Sequence, residues 1–353
     1  PMLSSQDWRE NYGALMGLSA AAEGSCNVLI PQTVKLVEMI IPLTNHPHPR
    51  VQFAACNTLG QLCTDFAPHI GRVAHSLIAP ALIAKINTQS CDRVCTHAAA
   101  AMVNFSEHIS KDVMAMYMDD LLTGLSCLLS NPKQYVQEQG LTSIAYSASA
   151  SGKKFEKYYD TVMPVLAGIL VSNGTDLKSL SDDQKKLIGK SIESITLVAA
   201  TCGKEKFSSY SQQFIEVLLH LQNQVIALGD ENPEDLEIKN RLEQSWGRLC
   251  RLLKEDFVPL LSVVIPPVLE TAKAAQNVSI IEEEEADAYN QYGEWDVIKI
   301  HGKHIAIHSA VLDDKVSAME LLIVYCHELK QYFAPFVEEV MMEITIPSLD
   351  FYL

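Results

Sequence analysis

The sequence has few basic residues, no long hydrophobic run and no pattern of paired cysteines. It contains 27 Lys and Arg against 43 Asp and Glu, a net charge of −16, so its surface is ill suited to the phosphate backbone of nucleic acid. The longest apolar stretch, residues 258–269, is short and broken by prolines, which argues against a membrane span. The nine cysteines are odd in number and scattered among apolar residues, as expected of reduced thiols in a cytosolic or nuclear protein.

Catalytic and metal-binding motifs are also scarce. The chain has no GxxxxGK[ST] phosphate loop, no GxGxxG after a strand and no GxSxG turn, so we expect neither enzymatic activity nor a cofactor. His301, His304 and His308 are close together, but the last two fall in an alternating strand pattern, which favours surface histidines over a metal site. Cys91 and Cys95 share a helix face without further ligands, which favours buried thiols.

Apolar residues, by contrast, are plentiful. They make up 48% of the 353 residues, which excludes disorder as the dominant state. The length exceeds what one hydrophobic core usually holds, so either several domains or a repeat array is expected. The chain starts at Pro1 without a methionine and stops in an apolar run, so we expect a piece of a longer protein.

A repeat of about 42 residues decides between these two possibilities. Arg50-Val51 aligns with Arg93-Val94, an offset of 43, and Val136 follows Val94 by 42 residues. Each block follows an apolar segment of about four helical turns, and apolar residues recur at three-four spacing within it. Period and two-helix unit both match HEAT repeats. We therefore predict an all-α fold, a right-handed superhelical solenoid of antiparallel helix pairs.

The predicted solenoid is a single array over residues 1–353. Partial repeats at 1–24 and 332–353 flank six complete ones at about 25–68, 69–110, 111–152, 153–203, 204–254 and 255–331. The last complete repeat contains an acidic insertion at 277–309, where WDVIKI and HIAIH alternate around Gly302-Lys303 and predict a small β-hairpin. Insertions on one face of a solenoid often carry function.

Each predicted repeat is a pair of helices, and its second helix carries polar residues near its end. In a HEAT solenoid these second helices form the concave wall. They repeat at intervals of 42 or 43 residues over three helices: Asn57, Gln61 and Asp65, then Asn104 and Glu107, then Tyr146 and Ser149. Such a series offers carboxylates for lysine ammonium groups and amides for a peptide backbone. Periodicity alone leaves open the alternative that these residues simply face solvent at helix ends.

Six segments together resemble the importin-β superfamily, and most closely its importin β-3 type in the fungal version. They are PHPRVQFAACNTLGQLCTDFAP (47–68), THAAAAMVNFSE (96–107), GKEKF (203–207), LEQSWGRLC (242–250), IEEEEA (281–286) and GKHIAIHSAVLDDKVSAMELL (302–322). The resemblance covers essentially the whole chain, linkers and insertion included. It implies the middle third of a receptor roughly three times longer.

The resemblance implies a nuclear import receptor that shuttles between cytoplasm and nucleus through the nuclear pore complex. Such a receptor binds lysine-rich nuclear localisation signals of cargo proteins on its inner surface and releases them when RanGTP binds. Ran and FG-nucleoporins are the partners expected of the full-length receptor, which is expected to be a monomer that contacts no nucleic acid and inserts in no membrane. The alternative is a HEAT-repeat scaffold subunit of a multiprotein complex without a transport role.

The resemblance also implies particular site residues. Asp65 and Glu107 match the acidic residues that hold the signal's lysines, with Asn104 beside them, whereas the next acidic position of the family is here Ser149. Later second helices add weaker candidates at Glu193, Glu243 and Ser245. The acidic insertion adds candidates for contact with Ran or a basic partner, the alternative being a charged linker: Glu282, Glu283, Glu284, Glu285, Asp287, Glu294 and Asp296.

Overall fold

The computed structural model describes residues 1–89, 91–174, 176–228, 233–274, 278–281, 295–300 and 303–349. These residues are almost all helical and include one small sheet. The chain divides into two compact units. One unit contains residues 1–224 and 232–238, and the other contains residues 225–231 and 239–353.

Twelve helices lie between the start of the chain and residue 228 in the part that the structure describes. They are α1 Trp8–Ala21, α2 Cys26–Leu29, α3 Thr33–Ile40, α4 Pro49–Asp65, α5 His69–Val73, α6 His75–Thr88, α7 Asp92–Glu107, α8 Lys111–Leu129, α9 Gln134–Ser151, α10 Tyr159–Ser172, α11 Asp182–Cys202 and α12 Lys204–Leu228. Short 3₁₀ segments join them at Met2–Ser4, Glu23–Ser25, Ile30–Gln32, Ile41–Asn45, Gly152–Tyr158 and Leu177–Ser179.

The remaining elements include the sheet. They are α13 Pro233–Leu253, a 3₁₀ segment Lys254–Leu260, α14 Leu261–Lys273, β1 Val278–Ile281, β2 Trp295–Ile300, β3 Lys303–His308, α15 Ser309–Leu329, a 3₁₀ segment Lys330–Phe333, α16 Ala334–Glu339, a π-helix Val340–Thr345 and α17 Ile346–Leu349. The sheet is antiparallel in the order β1-β3-β2, and Trp295 lies opposite His308. The predicted hairpin is thus confirmed as β2-β3, while β1 is an additional strand that the sequence pattern did not indicate.

The second helices form one continuous layer in the first unit. Helix α4 packs against α1 and α7, and α9 packs against α7 and α11, while α6 and α8 pack together in a second layer. The local sequence explains α4, which begins at Pro49, where a missing N–H costs nothing. His48 caps it by accepting a hydrogen bond from the Arg50 N–H at 3.2 Å. The predicted all-α HEAT-repeat fold is confirmed.

Side-chain hydrogen bonds fix the register between successive second helices. Thr58 Oγ1 donates to the Leu15 carbonyl at 3.0 Å, Asn104 Nδ2 to the Gly60 carbonyl at 3.3 Å, and Ser143 Oγ to the Ala99 carbonyl at 3.1 Å. Each bond joins residues 43 or 44 positions apart, which is one repeat. Register is therefore set inside the layer of second helices.

One segment near the start of the chain is long and apolar enough to cross a membrane by length and composition. Glu23–Asn45 has a mean hydropathy of 1.3 and is 17% buried. In the structure it is a succession of short α and 3₁₀ segments, with Pro31 and Pro42 each near the start of a 3₁₀ segment. Length and composition alone are weak evidence for a membrane segment.

Candidate functional site

The two carboxylates that the sequence analysis places first lie at equivalent positions on adjacent helices. Asp65 is the last residue of α4, and Glu107 is the last residue of α7. The helices approach closely at Gly60, where a Cβ atom would lie 3.0 Å from both the Cα and the Cβ of Ala101. The hydrogen bond from Asn104 to Gly60 then holds the carboxyl-terminal ends of both helices side by side.

Asp65 is only half satisfied within the chain. Its Oδ1 accepts a hydrogen bond from Gln61 Nε2 at 2.8 Å, whereas its buried Oδ2 has no hydrogen-bond partner. No lysine or arginine in the described ranges forms an ion pair with it. A buried acceptor without a donor costs about 1–3 kcal/mol, so an incoming N–H donor would remove a penalty in addition to forming a bond.

Glu107 is open to a ligand. Its side chain is 43% exposed, and its ion-pair neighbour within the described residues is His108, whose Nε2 lies 4.0 Å from Oε2. That separation is at the limit for an ion pair, and both groups are well exposed to water, so the interaction is weak. The carboxylate of Glu107 is therefore available to a stronger cation.

Three further predicted residues share this layer of second helices. Asn57 Nδ2 donates to Ser19 Oγ at 3.3 Å and so ties α4 to α1. Tyr146 is half-buried on α9 and Ser149 is exposed near its end, and α9 is held on α7 by the bond from Ser143. The structure thus brings together seven predicted residues on three neighbouring helices: Asn57, Gln61, Asp65, Asn104, Glu107, Tyr146 and Ser149.

The three candidates on later helices have different surroundings. Glu193 on α11 has a side chain 16% exposed, with Lys190 Nζ 3.3 Å from its Oε2, so its charge is compensated within the helix. In the second unit Glu243 is 5% exposed and Ser245 is fully buried, and the Ser245 hydroxyl accepts a hydrogen bond from Arg248 at 3.4 Å. A peptide on the surface does not reach these two side chains, because both belong to the packed interior.

Most of the acidic insertion falls outside the described residues, including Glu282, Glu283, Glu284, Glu285, Asp287 and Glu294. Asp296 lies on β2 and is exposed. Within the described part of the chain, no three metal-ligating side chains come together. Of the three neighbouring histidines, His304 and His308 lie on β3, and His301 is outside the described residues.

The structure adds residues beside the site that the sequence analysis did not select. A cavity of about 460 Å³ lies at the carboxyl-terminal ends of α4 and α7, lined among others by Arg72, His75 and His108. A ring nitrogen of His75 shares a 2.8 Å hydrogen bond with the Tyr117 hydroxyl. His75 and Tyr117 are one repeat of 42 residues apart, but Arg72, His75 and Tyr117 lie outside the second helices, on which the polar series of the sequence was found.

Comparison with known proteins gives a consistent picture. A HEAT-like repeat family matches residues 8–62. Importin subunit beta-3 of Saccharomyces cerevisiae is 54% identical over 352 residues, which is 100% of this chain and 31% of that protein. The crystal structure of Kap121p bound to Pho4p is 53% identical with a TM-score of 0.88, covering 100% of this chain and 32% of that one.

A second solved structure shows the karyopherin Kap121p bound to the extreme C-terminus of the protein phosphatase Cdc14p. It is 53% identical with a TM-score of 0.87, and the match covers 99% of this chain and 32% of that one. The chain thus spans about a third of the length of the relatives it matches. It is a HEAT-repeat protein of the karyopherin class. Its similarity extends over the whole chain, and it belongs to the importin β-3 family.

Proposed function

We propose that this chain is part of a nuclear import receptor and that it binds an extended, lysine-bearing peptide along the ends of α4 and α7. The relatives support this, because Kap121p has been crystallised with Pho4p and with the extreme C-terminus of Cdc14p, and a chain terminus is a segment that readily binds in extended form. The proposed role is binding without catalysis. The receptor would move between cytoplasm and nucleus.

The observation that carries the proposal is the pair of carboxylates at Asp65 and Glu107. They lie on adjacent helices, and neither forms an ion pair with a lysine or arginine in the described ranges. Packed helices lie about 8–10 Å apart, and an extended peptide advances about 3.3 Å per residue. Lysines separated by two intervening residues would therefore reach the two carboxylates.

Each carboxylate would contribute differently. Glu107 receives a lysine ammonium group directly, since its side chain is exposed. Asp65 Oδ2 is buried and has no hydrogen-bond partner, so neighbouring side chains have to move before a lysine reaches it, while Gln61 and Asn104 supply amides for the peptide backbone. The third helix offers Ser149 and Tyr146, which supply hydroxyl groups but no charge, so a third lysine would add little affinity.

The test is a titration of a peptide with the spacing Lys-x-x-Lys into the protein and two variants. Asp65→Asn/Glu107→Gln removes both charges at nearly constant shape, and Glu38→Gln/Asp120→Asn removes two exposed charges on first helices as a matched control. Hydrogen bonds to charged groups contribute about 1.5–3 kcal/mol each, so the site variant should bind at least tenfold more weakly. Equal affinity of the site and control variants would refute the site.

Release by RanGTP and contact with FG-nucleoporins belong to the same proposal for the full-length receptor. Addition of RanGTP to the full-length receptor with labelled peptide should release the peptide. A HEAT-repeat scaffold, the alternative function, would instead hold its partner in a stoichiometric complex that RanGTP leaves intact. Size-exclusion chromatography of the loaded receptor with and without RanGTP separates the two functions.

A further inference from the structure

A second, oppositely charged groove lies where the second helices begin. A cavity of about 380 Å³ is lined by Tyr12 of α1, Arg50 and Phe53 of α4, and Arg93 of α7, among others. The described residues that line it include two arginines and no aspartate or glutamate. This groove is at the opposite end of α4 and α7 from Asp65 and Glu107.

Neither arginine has an acidic partner among the residues that the structure describes. In the parts of the chain that the structure describes, Arg50 and Arg93 form no ion pair, and both are exposed. The nearest candidate in sequence, Asp92, is already engaged, because Lys133 Nζ lies 2.7 Å from its Oδ2 and Asn131 Nδ2 donates to its Oδ1 at 3.0 Å. Neither guanidinium group is therefore neutralised by an ion pair within the described ranges.

Aromatic rings hold both guanidinium groups in place. The Arg50 Cζ lies 5.9 Å from the centre of the Trp8 ring, and the Arg93 Cζ lies 5.6 Å from the centre of the Phe53 ring. Both distances are within the range of cation–π attraction. The rings are themselves fixed, since Trp8 stacks on His48 with centres 3.9 Å apart and an interplanar angle of 5°. Arginines held in this way lose less side-chain freedom when they bind a ligand.

Arg50 and Arg93 are the charged side chains that line the groove. Burial lowers the pKa of His97, whose ring packs edge-on against Phe53, and the nearby Arg93 charge lowers it further. Both effects favour the neutral form of His97, so this ring adds little charge beside the two arginines. The guanidinium fork suits the paired oxygens of a carboxylate, which it binds by two parallel hydrogen bonds.

We propose that this groove binds a carboxylate-bearing segment of a partner protein, with Arg50 and Arg93 each holding an acidic side chain. A nucleic acid is the less favoured occupant, because two arginines provide few phosphate contacts on a chain of net charge −16. The proposal does not depend on the lysine-peptide site. One receptor surface would then recognise a basic and an acidic peptide at opposite ends of the same helices.

The experiment measures fluorescence anisotropy of a labelled peptide of six glutamates at low salt. Arg50→Ala/Arg93→Ala should bind at least tenfold more weakly than the unaltered protein. Lys178→Ala/Arg251→Ala removes two exposed charges elsewhere and should bind as the unaltered protein does. Because all four side chains are exposed, each variant should stay folded, which circular dichroism verifies.

Three results would overturn the proposal. They are an absence of peptide binding by the unaltered protein at millimolar peptide, equal weakening in both double variants, and tighter binding of a twelve-base-pair DNA duplex that is lost in Arg50→Ala/Arg93→Ala. The last result would assign the groove to nucleic acid. Retained binding of the lysine peptide in the Arg50→Ala/Arg93→Ala variant would show that the two sites act separately.

Discussion

Replacement of Gly60 by alanine tests whether close approach of α4 and α7 shapes the site. Gly60 lies within α4, where alanine would ordinarily stabilise the helix by about 1 kcal/mol. Here the new Cβ would meet the Cα and Cβ of Ala101 at 3.0 Å. One of those atoms is backbone, so relief of the contact requires movement of α7 itself.

The expected magnitude follows from three contributions. Overpacking costs about 1–3 kcal/mol, and a weakened hydrogen bond from Asn104 to the Gly60 carbonyl costs about 0.5–1.5 kcal/mol more. Against these stands the gain of about 1 kcal/mol in helix propensity. Gly60→Ala should therefore lower the free energy of unfolding by about 0.5–3.5 kcal/mol.

The assay is urea unfolding followed by circular dichroism, with Gly17→Ala as the matched control. Gly17 also lies within a helix, α1, but nothing lies within 4 Å of its Cβ position. The control should therefore gain up to about 1 kcal/mol, and the two variants should move in opposite directions. If Gly60→Ala stabilised the protein as much as Gly17→Ala, the close approach of α4 and α7 would be refuted.

Three other predictions concern buried and paired groups. Burial raises the pKa of the Cys56 and Cys63 thiols to about 12. Iodoacetamide at pH 8 should therefore label the exposed Cys127 and Cys326 in the folded protein, and mass spectrometry should find Cys56 and Cys63 unmodified. Lys185 Nζ and Asp235 Oδ1 form an ion pair 2.7 Å apart, with both side chains 8% exposed. Lys185→Met alone should therefore lower the free energy of unfolding in urea by about 3–5 kcal/mol, and Lys185→Met/Asp235→Leu should restore most of that stability. Equal loss of stability in both variants would contradict this prediction. Hydrogen bonds from Lys133 and, to a smaller extent, Asn131 lower the pKa of Asp92. The stability that ionised Asp92 contributes is therefore complete above the unfolded-state pKa of about 3.9 and disappears as the pH falls through the lower pKa of the folded state. An NMR titration should find that Lys133→Met raises the pKa of Asp92.

The sequence predicts the repeats and the equivalent positions of Asp65 and Glu107 at the ends of α4 and α7, because both follow from the regular period of the helix pairs. Val51 and Val94 mark equivalent turns of α4 and α7, 43 residues apart, and Asp65 and Glu107 follow at a spacing of 42. Strand β1 escapes prediction because it is four residues long and pairs with β3, which is more than twenty residues away. Such a pairing depends on tertiary contact, which alternation within one short segment does not reveal.

Burial of polar residues is harder to predict from sequence. Ser245 lies three residues after Leu242 and four before Leu249, which are both buried, so the helical period does indicate an interior position. Glu243 lies beside that stripe, and a charged side chain there is expected at the surface, although the structure buries it. The orientation of Arg50 and Arg93 depends on Trp8 and Phe53, which lie about 40 residues before them, so spacing within one helix does not reveal the groove.

The hydrogen bonds from Thr58, Asn104 and Ser143 have a consequence for the history of the chain. Each joins one second helix to the one before it, so the stacking of the repeats does not depend on the length of the connections between them. Linkers and insertions are then free to gain or lose residues without displacing Asp65 relative to Glu107. Evolution would accordingly change the insertions faster than the three polar side chains that join the helices.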